Sequence, residues 1–302
     1  MKIAVLVQCH KNPRQIMMFL DRLKDSFFTI FLHIDKKSSI VIDINEERNN
    51  IIVLPEHYRV EVKWGTISQV DASLNLLRYA SNFGQFDYYW LCSGQDYPIK
   101  TSEEIIEYFL CNSGADFVNL FMSKNNGNGK SCNYDKRNEI YYPNYILGSS
   151  LWARLLKRLY VEITGGYNKT FLPFFRNPTI NIDFYFGSSW ICLQDRTWKW
   201  IDDYLKANPE YYSFFKNCNC PDESFFHTLL MYSPYSSFRK DYLHFVEWEP
   251  RKNNPQILTS NDFIKIIESD KLMARKFDIE KDKGILTMID NYLDTKQFHQ
   301  VK

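Results

Sequence analysis

The sequence predicts an α/β fold with a mostly parallel central sheet flanked by helices. Three observations carry that expectation. Ile3 to Val7 is a continuous apolar run, and Thr29 to His33 and Phe86 to Cys92 are largely apolar, as strands buried on both faces should be. Stretches with apolar residues at helical spacing separate them. Strand and helix signals alternate in this way through the first 121 residues.

Ile3 to Val7 opens the sheet and ends at Gln8-Cys9-His10-Lys11. Asn12 can cap a helix and Pro13 suits its first turn, where no amide donor is needed; the helix runs to about Leu23. Thr29 to His33 is a second strand ending at Ile34-Asp35-Lys36-Lys37, which completes a βαβ unit. Ligands of such sheets bind beyond the carboxyl ends of the strands, where His10 and Asp35 fall. Asp35 can accept hydrogen bonds from a ribose or a uracil edge; pairing with Lys36 or Lys37 in a surface turn fits the same residues. Ile51 to Leu54 is a third strand, and Tyr58 to Lys63 alternates up to Trp64-Gly65. Ser68 leads into an amphipathic stretch through Val70, Leu74, Leu77 and Tyr79-Ala80. Phe86 to Cys92 ends at Ser93-Gly94-Gln95-Asp96-Tyr97-Pro98, Thr101 and Glu104 form a capping box, and Asp116 to Phe121 is one more strand.

Ser123 to Ser131, rich in Asn, Gly and Lys, reads as a mobile loop. Tyr145 to Tyr160 reads as a basic amphipathic helix carrying Arg154, Lys157 and Arg158, broken by Thr164-Gly165-Gly166. Gly187-Ser188-Ser189-Trp190 is a turn feeding the strand Ile191-Cys192-Leu193. Asp195 can cap a helix over Arg196 to Lys206, which Asn208-Pro209 closes. Tyr242 to Trp248 reads as a strand, Glu249 to Gln256 as a loop, Asp262 to Glu268 as a helix and Gly284 to Leu293 as the closing helix.

One stretch concentrates chemistry: Asn219-Cys220-Pro221-Asp222-Glu223-Ser224-Phe225-Phe226. Pro221 in a first helical turn places Asp222 and Glu223 near the positive end of the helix dipole. Phe225, Phe226, Leu229 and Leu230 can bury one face behind them. A carboxylate on such a rigid element suits a general base. Acidic residues in a first turn are also ordinary caps, and the residues alone leave both roles open. Neighbouring positions on a helix point apart by roughly a hundred degrees, so the two carboxylates do not flank one bond as a glycoside hydrolase pair does.

With 37 basic and 36 acidic residues interspersed, the net charge of +1 gives no large net pull toward nucleic acid or membrane. The 23 Phe, 20 Tyr and 7 Trp supply core and flat faces for stacking on sugars or bases. Seven cysteines, an odd number with no C-x-x-C pair, offer no usual zinc clamp. Cys9, Cys92, Cys111 and Cys192 lie in or beside apolar runs and read as small core residues. The pattern points to a reduced, cytoplasmic protein. No apolar run is long enough to span a bilayer, and the one at the N-terminus is too short for a signal peptide.

Seven segments, taken together, are similar to a known family. They are Cys9-His10-Lys11-Asn12-Pro13, Leu32-His33-Ile34-Asp35-Lys36-Lys37-Ser38, Trp64-Gly65, Ser93-Gly94-Gln95-Asp96-Tyr97-Pro98-Ile99-Lys100, Gly187-Ser188-Ser189-Trp190, Pro221-Asp222-Glu223-Ser224-Phe225-Phe226 and Ala274-Arg275-Lys276-Phe277-Asp278. Each is weak alone; their order and spacing over most of the chain are specific. The sequence resembles the core-2/I-branching β-1,6-N-acetylglucosaminyltransferases, a family that also contains peptide O-xylosyltransferases. The resemblance implies a GT-A-like nucleotide-sugar transferase fold in a single domain over residues 1–302. Residues 1–121 would be its nucleotide-binding half and 122–302 its acceptor and catalytic half. It further implies a UDP-sugar donor, a glycan acceptor, inversion at the anomeric carbon, and no metal or other cofactor. The sequence holds no D-x-D, the motif that carries manganese in most enzymes of this fold.

By the same resemblance Glu223 matches the catalytic base. Lys276 matches a diphosphate-binding lysine, with Arg275 beside it; pairing of both with Asp278 is the alternative. Asp35 matches a nucleoside contact, and His10, Gln95 and Asp96 go with it on the donor side. Gly187, Ser188 and Trp190 would lie near the donor sugar, Trp190 together with Trp248 facing the acceptor. Family members carry a second basic residue after the Trp248 strand; here that position is Gln256, and Arg251 is the substitute. The chain lacks the N-terminal anchor and paired cysteines of animal members, so it reads as a bacterial-type version. Its acceptor would be a cell-surface or capsular glycan precursor, with peripheral membrane association compatible. UDP-N-acetylglucosamine is the expected donor; UDP-xylose, or a nucleotide- or glycan-binding protein without turnover, are the alternatives.

Overall fold

A computed structural model describes residues 1–44, 48–122, 137–138, 140–148, 150–163, 182–249 and 255–300. The chain runs β1 (Ile3–Cys9), α1 (Pro13–Arg22), β2 (Phe28–Ile34), β3 (Ile51–Val53), α2 (Ser68–Phe83), β4 (Tyr88–Ser93), β5 (Asp96–Pro98), α3 (Ser102–Cys111), β6 (Asp116–Phe117) and β7 (Phe121–Met122). It continues with α4 (Leu151–Ile163), β8 (Tyr185–Phe186), β9 (Cys192–Gln194), α5 (Asp195–Ala207), α6 (Pro209–Phe215) and α7 (Phe225–Tyr232). Then come β10 (Arg239–Lys240), β11 (His244–Val246), α8 (Phe263–Glu268), β12 (Met273–Arg275) and α9 (Gly284–Gln300).

Seven strands form the main sheet in the order β10-β6-β9-β4-β1-β2-β3. Neighbours run parallel except around β9, which is antiparallel to β4 and β6. The continuous apolar run of β1 is explained by its two faces. Ile3, Val5 and Val7 pack with α1, α3 and α9 in one core; Ala4 and Leu6 pack with α2, α5 and α7 in the other. Each such fully buried aliphatic side chain contributes about 1.5–3 kcal/mol through removal of apolar area from water. A second sheet, β11-β12-β5, pairs β12 antiparallel to β5 and sets Arg275 opposite Asp96.

Several elements depart from the sequence expectation. Asn12 stands at the start of α1 with φ 54, but its side chain does not cap; it donates to Asp278 Oδ1 at 2.9 Å. The run Asp116 to Phe121 breaks into β6 and β7, which belong to different sheets. The helix expected from Tyr145 starts only at Leu151, after a 3₁₀ turn at Asn144–Ile146 and Gly148 at φ 137. Pro209 does not merely close α5: fixed at a first-turn position, it begins α6. Cys111 is exposed at the end of α3 rather than part of the core, whereas Cys218 and Cys220 are buried. The capping box of Thr101 and Glu104 is present with both bonds made. The stretches Ser123 to Ser131 and Thr164-Gly165-Gly166 lie outside the described residues.

Candidate active site

The strand order reverses between β4 and β1: the chain moves from β1 outward to β2 and β3, then returns to place β4 on the other flank of β1. Crevices at such switch points, beyond the carboxyl ends of the strands, are where open α/β sheets bind ligands. Gln8 of β1 pairs with Ser93 of β4, so His10 and Gln95 emerge side by side there. Asp35 follows β2, with its amide on Cys9 O at 2.9 Å. Because β9 runs antiparallel to β4, the segment entering it, Gly187 to Trp190, reaches the same edge.

The basic side of the crevice comes from β12. Phe277 N bonds Gln95 O at 2.8 Å, which seats Arg275 and Lys276 against the switch point. Arg275 turns inward. Its Nη1 stands 3.1 Å from Asp96 Oδ1, an ion-pair distance without hydrogen-bond alignment, and its guanidinium lies 4.2 Å from the Trp190 ring centroid. Burial raises the cost of the Asp96 charge, yet Arg275 and His244 outweigh it and hold that carboxyl below its usual range. Asp96 and Arg275 are thus a buried pair beneath the crevice rather than open ligand contacts, and Trp190 covers that pair.

Lys276 behaves differently. The described residues place no carboxylate within ion-pair distance of its ammonium. Asp278 is already taken by Lys11 Nζ at 2.7 Å and Asn12 Nδ2 at 2.9 Å, so the pairing open in the sequence is not made. Burial, then Arg275 and Lys11, lower the lysine's pKa. His10 is lowered too, by burial, Lys11, Lys276 and Lys37, against an opposing pull from Asp35. Asp35 Oδ1 accepts the amides of Lys37 at 3.1 Å and Val62 at 3.3 Å, while Oδ2 faces Lys37 Nζ at 3.8 Å. The pairing with Lys37 that the sequence offered for Asp35 is thus made, by a buried carboxylate at a lysine-rich edge.

The acidic side is the turn before α7. Cys220 adopts φ 53, Pro221–Glu223 forms a 3₁₀ turn, and Ser224 at φ −138 separates it from α7. The acidic pair is therefore not in the helix's first turn, as the sequence indicated, but one turn ahead of it. Arg137 Nη1 pairs with Glu223 Oε2 and orients that partly exposed carboxylate. Asp222 points the other way, into the protein: Oδ2 accepts Ser189 Oγ at 2.7 Å and Gln69 Nε2 at 3.1 Å. Burial and the adjacent Glu223 push its pKa up to about 7.

Gly187 joins the two sides. Its N–H donates to Glu223 O at 2.9 Å, and a Cβ there would lie 1.8 Å from Asn119 O and 2.6 Å from the His227 ring. Only glycine permits that approach. Ser188 O accepts from or faces His227 Nε2 at 3.0 Å, and burial drops this histidine to about 4. Glu223, Asp222, Ser189, Trp190, Arg275 and Lys276 thus form one continuous run of contacts around the edge of the sheet. Gly65, at φ 76, accepts Cys220 N through its carbonyl oxygen at 3.0 Å, which ties the Trp64-Gly65 segment to the Glu223 turn.

Trp248 is 57 % exposed and bridges to Pro255 at the end of β11. Arg251 lies outside the described residues. Arg137 and Gln69 were not found by sequence reasoning; Arg137 sits in a polar stretch without a motif. Among the described residues one buried set, Cys92, Asp96 and His244, has metal-ligand types within reach. Arg275 beside Asp96 and a thiol raised far above its usual range by burial make it a poor cation site. A cavity of about 370 Å³ along β11 and α8 is lined by none of the crevice residues.

The crevice at the switch point is thus bordered by the partly exposed carboxylate of Glu223 and by Lys276, which meets no carboxylate among the described residues. Comparison gives the family. Residues 4–267 match the Core-2/I-Branching enzyme family, and the chain belongs to it, a family of glycosyltransferases. It is 24 % identical over 327 residues to xylosyltransferase 1 of Homo sapiens and 24 % identical over 324 residues to xylosyltransferase 2 of Mus musculus. Each alignment covers 97 % of this chain, but only 30 % and 34 % of those relatives, so the chain spans about a third of their length. The crystal structure of mouse xyloside xylosyltransferase 1, apo form, aligns over 91 % of this chain and 97 % of that one, at 10 % identity and a TM-score of 0.36. No described helix is long and apolar enough to cross a membrane.

Proposed function

We propose that the protein moves a sugar from a UDP-sugar to a hydroxyl of a glycan acceptor, with inversion and without a bound metal. The observation that carries the reading is the Lys276 ammonium, partly buried at the switch point with its neighbouring carboxylate already engaged by Lys11 and Asn12. A cation disfavoured by burial and by two cationic neighbours gains most from an incoming polyanion. A nucleoside diphosphate supplies one, and its charge grows as it departs.

In this reaction the acceptor oxygen attacks the anomeric carbon opposite the diphosphate. The new carbon–oxygen bond forms as the bond to the β-phosphate oxygen breaks, and the electron pair leaves with UDP. Glu223, oriented by Arg137, takes the hydroxyl proton. One base and one cationic clamp suffice for a single displacement. Asp35 and His10 would meet the nucleoside, Ser188 and Gly187 the sugar, and Trp248 would offer the acceptor a ring face. N-acetylglucosamine is the sugar we assign; the xylosyltransferase names of the relatives favour UDP-xylose as the second reading. We place it in a reducing, cytoplasmic setting, on the odd and unpatterned cysteines of the sequence.

The test is UDP release across a panel of UDP-sugars, with and without chelator. Turnover should survive chelation. Glu223→Gln should lower it about 10²–10⁴-fold with UDP binding intact. Lys276→Met should lose about 10²–10³-fold. Equal turnover by Glu223→Gln and the native protein removes Glu223 from its role.

A further inference from the structure

α1 follows β1 directly, so its first turn stands over the switch point. Its inward face is Gln15, Ile16, Phe19 and Leu20, apolar but for the first. Gln15 is 0 % exposed. A buried carboxamide is costly unless its donors and acceptor are bonded, and here they are. Nε2 donates to Gly94 O at 2.8 Å and to Phe277 O at 3.4 Å, and Oε1 accepts Ile279 N at 2.9 Å. All three partners are backbone atoms of two segments that border the crevice. Gly94 lies between the end of β4 and Gln95, and Phe277 to Ile279 follow Lys276.

Those bonds hold the chain just beyond Lys276. The lysine's own carbonyl accepts Leu258 N at 2.8 Å, and Phe277 N donates to Gln95 O at 2.8 Å. Gln95 Nε2 adds a second donor to Phe277 O at 3.3 Å, and Asp278 is held by Lys11 and Asn12. Lys276 needs such restraint. Burial, then Arg275 and Lys11, disfavour its ammonium, against weaker pulls from Asp278 and Asp96. Charge therefore does not draw the side chain to the crevice; what the fold can fix is its root. With the root fixed and the stem partly buried, the ammonium is confined there before an anion arrives, and little reorganisation is left to the reaction.

We propose that Gln15 is a positioning residue for Lys276: by tying Phe277 and Ile279 to Gly94, it fixes the root of the lysine against the switch point. The inference rests on the role given to Lys276 above. Glutamine suits the task because one planar head offers donors and an acceptor together; glutamate lacks the donors, and methionine lacks both.

The experiment is a double-mutant cycle read by UDP release from a UDP-sugar, with Gln15→Met and Lys276→Met made singly and together. Methionine keeps the length of glutamine and drops its hydrogen bonds. Alone, Gln15→Met should lower kcat/KM for the donor about 10–10²-fold, the order of loss that a displacement of about 1 Å brings, with circular dichroism unchanged. In the Lys276→Met protein, which has no ammonium left to place, the same change should alter turnover less than about twofold. Gln15→Glu keeps the acceptor for Ile279 N but not the donors to Gly94 O and Phe277 O. It should repeat the pattern, and it carries the test if Gln15→Met does not fold. Equal losses in both backgrounds, or no loss from either variant, overturn the inference, since Gln15 would then serve the core alone. Native turnover by Lys276→Met removes the role of Lys276 and the inference with it. A loss from Lys276→Met, with Gln15→Met acting equally in both backgrounds, leaves that role standing and removes only the inference.

Discussion

Asp222→Asn isolates the charge buried beside the proposed base. Asp222 is 8 % exposed, and both of its donors, Ser189 and Gln69, reach the same oxygen; the other oxygen meets no hydrogen-bond donor among the described residues. In the unfolded chain such a carboxyl titrates at about 3.8, whereas burial and Glu223 raise it to about 7 in the fold. Between those values the folded state binds the extra proton, so its stability falls as pH rises. The contribution is complete below about 4 and lost as pH passes about 7. At about 1.4 kcal/mol per unit, the swing is of the order of 4 kcal/mol.

Asparagine keeps an acceptor for Ser189 and Gln69 and does not titrate. Urea unfolding of both proteins across this pH range isolates the term, because every other titrating group is shared. The native protein should lose about 4 kcal/mol relative to the variant as pH rises from about 4 to about 8. Parallel profiles would refute the reasoning: Asp222 would then carry no charge penalty, and the turn would not be buried against Ser189 as described.

Two further outcomes test the architecture around the site. Gly187→Ala forces a methyl into Asn119 O and the His227 ring, which should cost about 1–3 kcal/mol in thermal or chemical unfolding. Because the same residue holds Glu223 O, UDP release should fall further than UDP binding. Asp96→Ala strands the buried Arg275 without its carboxylate and should cost about 3–5 kcal/mol in chemical unfolding. Adding Arg275→Met should recover much of that loss, since a buried pair is expensive mainly when half of it remains.

The sheet was legible because burial on both faces leaves a plain mark. The β1, β2 and β4 runs are apolar without alternation, and their bounds fall within two residues of the expectation. Short elements were not. β6 has two residues and is fixed by Asp116, whose oxygens accept Gln194 N at 2.7 Å and Thr197 Oγ1 at 2.8 Å, so no local pattern announces where the strand ends. α4 was displaced by six residues because Tyr145 to Leu147 continue its apolar spacing; Gly148, at φ 137, interrupts the helix.

The site was legible in its motifs but not in its wiring. Trp64-Gly65, Gly187-Ser188-Ser189-Trp190 and the Pro221-Asp222-Glu223 turn lie far apart in sequence, and each bonds another: Gly65 O to Cys220 N, Ser189 Oγ to Asp222, Gly187 N to Glu223 O. Backbone contacts of this kind constrain residue type only where space vanishes, as at Gly187, so the partners cannot be read from either segment alone. The basic side shows the same limit from the other direction. Adjacent Arg275 and Lys276 present one charge each, and sequence offered Asp278 to both. The fold gives Asp278 to Lys11 and Asn12, gives Asp96 to Arg275, and leaves Lys276 at the crevice. Strand pairing separates the two roles: Arg275 lies opposite Asp96 in the β12–β5 ladder, and the next residue has already left it.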